Sequence, residues 1–342
     1  MNNTTINLSP ATVTGRLGVR HLKRYWEKCR LKKENKAAAE TWQEEWNTDI
    51  TMLAALGLGL EQTIKYVYSS SGGFDEFEDW ILEVNSGKLV QVKIDEFNQS
   101  VINNIPAQAP ADVLKKTLTE TDMYFWKENG YLIIREAISK EECETTINLI
   151  CDFIKIKRDD PATWYTAHPE KQGIMVQLFQ HPVLDKNRHS EKIRLAYEQL
   201  WGRKDIWVNT DRVGFNPPET ATWKFPGPGL HWDFSLQLPI PFGLQGILYL
   251  SDTAADQGAF TLVPGFQNKI EDWLKNLPPA ANPRNENIHA LGSQPVVANA
   301  GDFIIWHHAL PHGSSPNTSP VPRFVQYINY APLDMEIREQ WI

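Results

Sequence analysis

From about residue 205 onward the chain breaks into short apolar runs, each cut off by glycine, proline, asparagine or aspartate: "DIWVNTDRVGF", "LQGILYLSD", "GAFTLVPG", "PVVANAGDFIIWHH" and "RFVQYINYAP". Short strands at turn-punctuated intervals predict an all-β sandwich, barrel or jelly roll. Helices come first. In "LTETDMYFWKENGYLIIREAISKEECETTINLICDFI", Thr119 with Asp122 can cap a short helix and Asn129-Gly130 can end it. "YLIIREA" then reads as a strand, and Ser139 with Glu142 fits the capping box of a further helix. The expected class is α+β, a jelly roll with flanking helices.

Upstream the texture differs. Residues 16–36, "RLGVRHLKRYWEKCRLKKENK", carry nine Lys/Arg against two Glu, with apolar residues near helical spacing. "DITMLAALGLGLEQTIKYVY" and "FDEFEDWILEV" continue an amphipathic helical pattern to about residue 97. The organisation read from this is a small helical module of unknown role at 1–100, a linker at 101–118 around Pro106 and Pro110, and the jelly-roll domain at 119–342. The basic stretch has two readings. It is a solvated helix face paired with the acidic helix that carries Asp75, Glu76, Glu78, Asp79 and Glu83, or it is a docking surface for an acidic protein, such as a carrier presenting a tethered substrate.

Several function classes fall away. A net charge of −8 has the wrong sign for a dedicated nucleic-acid binder. No basic-then-apolar leader opens the sequence, and no apolar run approaches the ~18 residues of a membrane span. Cys29, Cys143 and Cys151 show no metal-site or scaffold spacing, and the expected compartment is the reducing cytoplasm. "LGLGLEQ" is a lone Gly-x-Gly without the rest of a dinucleotide fingerprint, and Asp252 reads as a turn residue after a strand.

The chemistry concentrates in "GLHWDFS" and "GDFIIWHHALPHGSSPN". If "HWDFS" enters a strand, His231 and Asp233 share one face, because side chains alternate with period two. Two histidines and a carboxylate with open positions are the usual non-haem Fe(II) donor set, so a second histidine is needed. His307, His308 and His312 are the candidates. The first two follow "FIIW" directly and fit strand positions, whereas His312 lies past a proline, where a strand mouth would place a ligand. Arg323 falls 323 − 312 = 11 residues later and opens the strand "RFVQYINY", from which it can point inward after a hairpin. A buried arginine needs a carboxylate partner, and its planar fork suits a substrate carboxylate. Ser314 can add a hydroxyl. Metal, arginine and serine together fit a 2-oxo-acid cosubstrate.

In this order the segments resemble the phytanoyl-CoA dioxygenase family of Fe(II)/2-oxoglutarate oxygenases over about residues 119–332. The resemblance runs from "FWKENGYLIIREAIS" through "GLHWD" and "YLSDTAADQGAFTLVPGFQ" to "GDFIIWHHALPHGSSPNTS" and Arg323. It implies a double-stranded β-helix (a jelly roll), iron ligands His231, Asp233 and His312, and a 2-oxoglutarate site at Arg323 and Ser314. Gln267 departs from the family, which usually has histidine after "PGF". Residues 1–100 are not covered. The activity implied is hydroxylation of a small organic or acyl substrate, including a carrier-tethered one, with Fe(II), 2-oxoglutarate and O2 consumed or bound and succinate and CO2 released. Asp233 favours that outcome, since halogenases of the wider family carry a small residue at the carboxylate position. Desaturation, ring closure and epimerisation share the same ligands. A non-catalytic jelly-roll binding protein is the reading from a different class.

Overall fold

A glycine divides the N-terminal helical pattern. The computed structural model describes residues 8–38, 41–103, 114–338 and 340–342, beginning with α1 (Leu22–Lys33), α2 (Trp46–Ala55), α3 (Leu60–Ser69), α4 (Phe74–Val84) and α5 (Gln91–Asn103). The run "DITMLAALGLGLEQTIKYVY" forms two helices rather than one, because Gly57 takes a left-handed φ of 66° after α2. Leu22, Met52, Leu53, Phe77, Ile81 and Phe97 are buried together as a core of their own, against which Trp207 also packs.

The basic stretch is largely paired within this unit. Arg16 meets Asp79 and Glu78 of α4, as the sequence led one to expect. Arg24 and Lys28 instead meet Glu45 (2.6 and 2.8 Å), and Lys28 also binds Asp49 at 2.7 Å. Arg30 and Lys33 donate to the main-chain oxygens of Gly72 and Ser70. Cations spent in this way present little to an acidic protein, so the structure lends no support to the docking reading. The expected linker falls largely on 104–113, outside the described residues.

Both predicted capping boxes form. Thr119 and Ser139 accept from the amides of Asp122 and Glu142, opening α6 (Glu120–Asn129) and α7 (Lys140–Ile154) on either side of β1 (Tyr131–Ile134). Gly130 at φ 74° closes α6. On α7, Cys143, Thr146, Ile147, Ile150, Cys151 and Ile154 are buried at helical spacing. α8 (Pro161–Trp164), β2 (Lys171–Gln172), β3 (Met175–Val176), α9 (Pro182–Arg188) and α10 (Glu191–Trp201) follow.

The remaining strands are β4 (Ile206–Val208), β5 (Val213–Asn216), β6 (Leu244–Tyr249), β7 (Phe260–Leu262), β8 (Gln294–Pro295), β9 (Phe303–His307), β10 (His312–Ser314), β11 (Arg323–Tyr327) and β12 (Tyr330–Pro332), with α11 (Ile270–Lys275) between β7 and β8. The large sheet has the order β1-β9-β6-β11-β5-β3-β2 and the small one β10-β7-β8, which His231 extends through a bridge to His312. Along the chain β5, β6, β9 and β11 enter the large sheet, while His231, β7, β8 and β10 enter the small one. That alternation makes the double-stranded β-helix, or jelly roll. Two runs read as single strands are split: β4 and β12 leave β5 and β11 to pair with each other.

Period-two burial sorts the large sheet. Phe215, Leu248, Phe303, Ile305 and Phe324 face α7, α9 and α10, while Ile247, Tyr249, Ile304, Trp306 and Val325 face the small sheet. Gly246 lies between Phe303 and Tyr197. A Cβ there would collide with the Phe303 ring and come within 2.6 Å of the Tyr197 hydroxyl. Gly246→Val should therefore destabilise the fold by about 1–3 kcal/mol, read as a lower thermal midpoint by circular dichroism.

Candidate active site

His231 and His312 face one another through a single antiparallel bridge, in which each amide donates to the other's carbonyl at 2.9 and 3.0 Å. The expected strand over "HWDFS" stops there. Arg284 donates to the main-chain oxygens of Trp232 (2.8 Å) and Phe234 (2.6 Å), occupying acceptors that a sheet neighbour would otherwise use. Trp232 is buried, with its indole N–H on Ala309 O at 3.0 Å. His231 and Asp233 thus reach the same side by a bend anchored on Trp232 and Arg284.

The donor atoms of His231, Asp233 and His312 all lie within 4.8 Å of one another. His231 Nε2 is 3.1 Å from Asp233 Oδ1, and His312 Nε2 is 3.3 Å from Oδ2. Each ring is held from behind: His231 Nδ1 donates to Gly229 O at 2.8 Å and His312 Nδ1 to Leu310 O at 3.0 Å. In a neutral ring that leaves the Nε2 lone pair aimed at the carboxylate, an arrangement a divalent cation would satisfy. Burial pushes the Asp233 carboxyl up, but hydrogen bonds and charge from His231 and His312 outweigh it and hold it well below the usual carboxylate range. Burial lowers the His231 pKa and Asp233 more than reverses this, so the net shift is upward. Gln245 on β6 donates to Asp233 Oδ2 at 2.7 Å and fixes the carboxylate's orientation.

Arg323 does not arrive by a hairpin. β11 pairs with β5 and β6 of the large sheet, whereas β10 pairs with β7 of the small one, so Arg323 and Ser314 meet across the sandwich. Arg323 is 1% exposed and its Nη2 donates to Ser314 Oγ at 2.9 Å. Its Nε and Nη1 have no partner among the described residues. Trp306 Nε1 and Gln245 Oε1 are likewise buried and unpaired. A cavity of about 310 Å³ is lined by His231, Asp233, Gln245, Trp306, His312 and Ser314, and Arg323 lies behind it, bonded to Ser314. A buried guanidinium with unspent donors beside a His/Asp/His cluster fits the carboxylate of a bound acid.

His307 and His308 stay outside. His307 Nδ1 accepts from Ala309 N at 3.0 Å, and burial drives its pKa down to about 3. His308 Nε2 donates to Pro241 O at 2.6 Å, stacks on Phe234 with centroids 4.1 Å apart, and is driven by burial to about 4. Cys143 and Cys151 are core residues whose thiols burial raises to about 12 and about 11. Gln267 binds Lys127 O at 3.0 Å against Gly130, far from any ligand role. Asp252 is exposed and accepts from the Ala300 amide at 2.8 Å, a turn contact. A second cluster, His21, Glu45 and Asp49, already holds the Lys28 ammonium. No helix among the described residues is long and apolar enough to cross a membrane.

Trp306, whose place beside the histidines in sequence hints at an apolar cavity, does line it, whereas Gln245 belongs to no motif that marks it as a site residue. The available signal was parity: a lone amide in "LQGILY" two residues before inward-facing Ile247.

A Dictyostelium discoideum protein that carries the name of the phytanoyl-CoA dioxygenases is 24% identical over 259 residues, covering 61% of this chain and 74% of that one. Among solved structures, the chain is similar to the non-haem α-ketoglutarate-dependent carbocyclase SnoK from nogalamycin biosynthesis (20% identity, TM-score 0.45, covering 65% of this chain and 87% of that one). It is also similar to iron-bound EctD from S. alaskensis (17%, 0.47, covering 68% and 85%). The family model for phytanoyl-CoA dioxygenase (PhyH) matches residues 126–325, more than half of the sequence. The chain therefore belongs to the phytanoyl-CoA dioxygenase family, whose members are non-haem iron oxygenases dependent on 2-oxoglutarate.

Proposed function

We propose that His231, Asp233 and His312 hold Fe(II), that Arg323 and Ser314 receive the distal carboxylate of 2-oxoglutarate, and that the enzyme hydroxylates a small organic or acyl substrate. The observation that carries this reading is Arg323, a fully buried cation with two unspent donors, bonded to Ser314 in the wall of the cavity that holds the His/Asp/His cluster. When bound, iron with 2-oxoglutarate and O2 supplies an oxidising equivalent and yields succinate, CO2 and the oxygenated product.

The chain's own residues do the rest. Gly229 and Leu310 carbonyls hold the two imidazoles in the orientation that presents Nε2. Gln245 keeps Asp233 turned toward both rings. Ser314 locks the Arg323 fork, so that little ordering remains to be done when the carboxylate arrives. Phe260 and Trp306, with centroids 4.3 Å apart, wall the cavity against water, and Trp306 Nε1 has a proton to donate into it. Retention of Asp233 at the carboxylate position supports hydroxylation over halide transfer.

Purified protein given Fe(II), O2 and 2-oxoglutarate should release succinate slowly without substrate, and faster once a substrate is supplied. Iron binding with no succinate from any candidate substrate would instead favour a binding protein built on the same fold.

A further inference from the structure

A second cavity, of about 470 Å³, opens from the other side of the metal cluster, sharing Asp233, Gln245 and Asn329 with the first. Part of its wall comes from outside the family match at 126–325. Gln43 and Trp46 belong to the N-terminal helical unit, and Met335, Ile337, Arg338 and Trp341 to the C-terminal segment. Trp46 and Trp341 are 37% and 56% exposed, unusual for residues of this size. Phe234, stacked on His308, adds a third aromatic wall.

These walls are tied to one another and to the metal loop. Asn47, next to Trp46, donates to Met335 O. Glu45, on the other side of Trp46, is held by Arg24 and Lys28. Arg284 binds Ile342 O at 2.8 Å while holding the carbonyls on either side of Asp233, and its guanidinium lies 4.8 Å from the Trp341 ring centroid. Trp341 is thus fixed by the same arginine that bends the chain at Asp233.

The lining is close to neutral. Apart from Asp233, the ionic residues among those described are Glu336 and Arg338, paired with each other at 2.5 Å. The polar remainder is mostly amide: Gln43, Asn209, Gln245 and Asn329. Gln245 Oε1 is buried without a donor at the junction of the two cavities. Aromatic walls, an unfilled acceptor and a volume of this size suit one medium-sized ligand.

Resting on the proposed iron and 2-oxoglutarate reading, we infer that this composite chamber is the substrate site. It takes an uncharged, ring-bearing molecule with a hydroxyl or N–H group directed at Gln245, and Trp46 and Trp341 determine that specificity. The N-terminal helical unit is then part of the enzyme's selectivity.

The test uses two fluorescent probes that differ by one charge, N-phenyl-1-naphthylamine and its sulfonate, 8-anilino-1-naphthalenesulfonate. Each is titrated anaerobically into the Fe(II)- and 2-oxoglutarate-loaded full chain. The neutral probe should bind one site per chain, about tenfold or more tighter than the sulfonate. Trp46→Ala and Trp341→Ala should each weaken it by about tenfold, the loss expected for removing an indole contact, with Trp46→Phe intermediate. Trp341 is more than half exposed, so its variant loses the Arg284 contact but little core packing, and Trp46→Phe, which keeps an aromatic ring, separates lost binding from lost folding.

No saturable binding of the neutral probe, or unchanged binding in both alanine variants, would overturn the inference. Equal affinity for the sulfonate would overturn the substrate class. The visible band of the iron–2-oxoglutarate chelate, recorded before probe is added, separates the two readings. A missing band with intact probe binding sinks the cosubstrate assignment alone, whereas an intact band with the outcomes above sinks the chamber alone.

Discussion

Arg323→Met is expected to weaken 2-oxoglutarate binding by roughly a hundredfold or more while leaving the cosubstrate-free protein as stable as wild type, or more so. The guanidinium is buried, makes one hydrogen bond, to Ser314, and leaves two donor atoms idle. Charge-assisted bonds to a carboxylate contribute about 1.5–3 kcal/mol each, so losing two removes about 3–6 kcal/mol, or about two to four orders of magnitude in Kd. In the free protein the balance runs the other way. An uncompensated buried charge is costly, and methionine fills similar volume without it. A structural arginine would behave oppositely, and its loss would lower the melting temperature. Thermal unfolding with and without 2-oxoglutarate distinguishes the two roles: the ligand should raise the wild-type midpoint by mass action and leave the variant's unchanged.

Asp233→Ala and His312→Ala should each abolish iron-dependent turnover. Each removes one of three donors packed within 4.8 Å. Removing only an outer partner of a metal ligand costs roughly 10–100-fold in affinity, and losing the ligand itself should exceed that. Gln245→Ala provides the calibration. It deletes the 2.7 Å bond that orients Asp233 but no donor, so iron affinity should fall within that 10–100-fold range. Equilibrium titration with Fe(II) under anaerobic conditions orders the three variants. If Asp233→Ala bound iron as tightly as wild type, the carboxylate would not be a ligand.

What the sequence disclosed follows the range over which each signal acts. The capping boxes at Thr119 and Ser139 are complete within four residues and were legible without tertiary structure. His312 was separable from His307 and His308 because those two adjoin "FIIW", whose strand continues to His307. His308 then follows into burial against Pro241 and Phe234. The strand expected over "HWDFS" failed because its would-be partner is a side chain, Arg284, about fifty positions away. The hairpin expected between His312 and Arg323 failed because the intervening loop changes sheets, which periodicity does not encode. Pairing of Arg24 and Lys28 with Glu45 and Asp49, rather than with the acidic helix, depends on how α2 docks. The chamber walls at Trp46 and Trp341 lie 341 − 46 = 295 positions apart in the chain, a juxtaposition no local pattern reveals.

The most direct measurement is an anaerobic titration of 2-oxoglutarate into the Fe(II)-loaded protein, followed through the weak visible charge-transfer band of the chelate. A saturable band in wild type, weakened in Arg323→Met and absent in Asp233→Ala, is the predicted result. Bound iron with no band at saturating 2-oxoglutarate would contradict it, and would leave Arg323 without a carboxylate to serve.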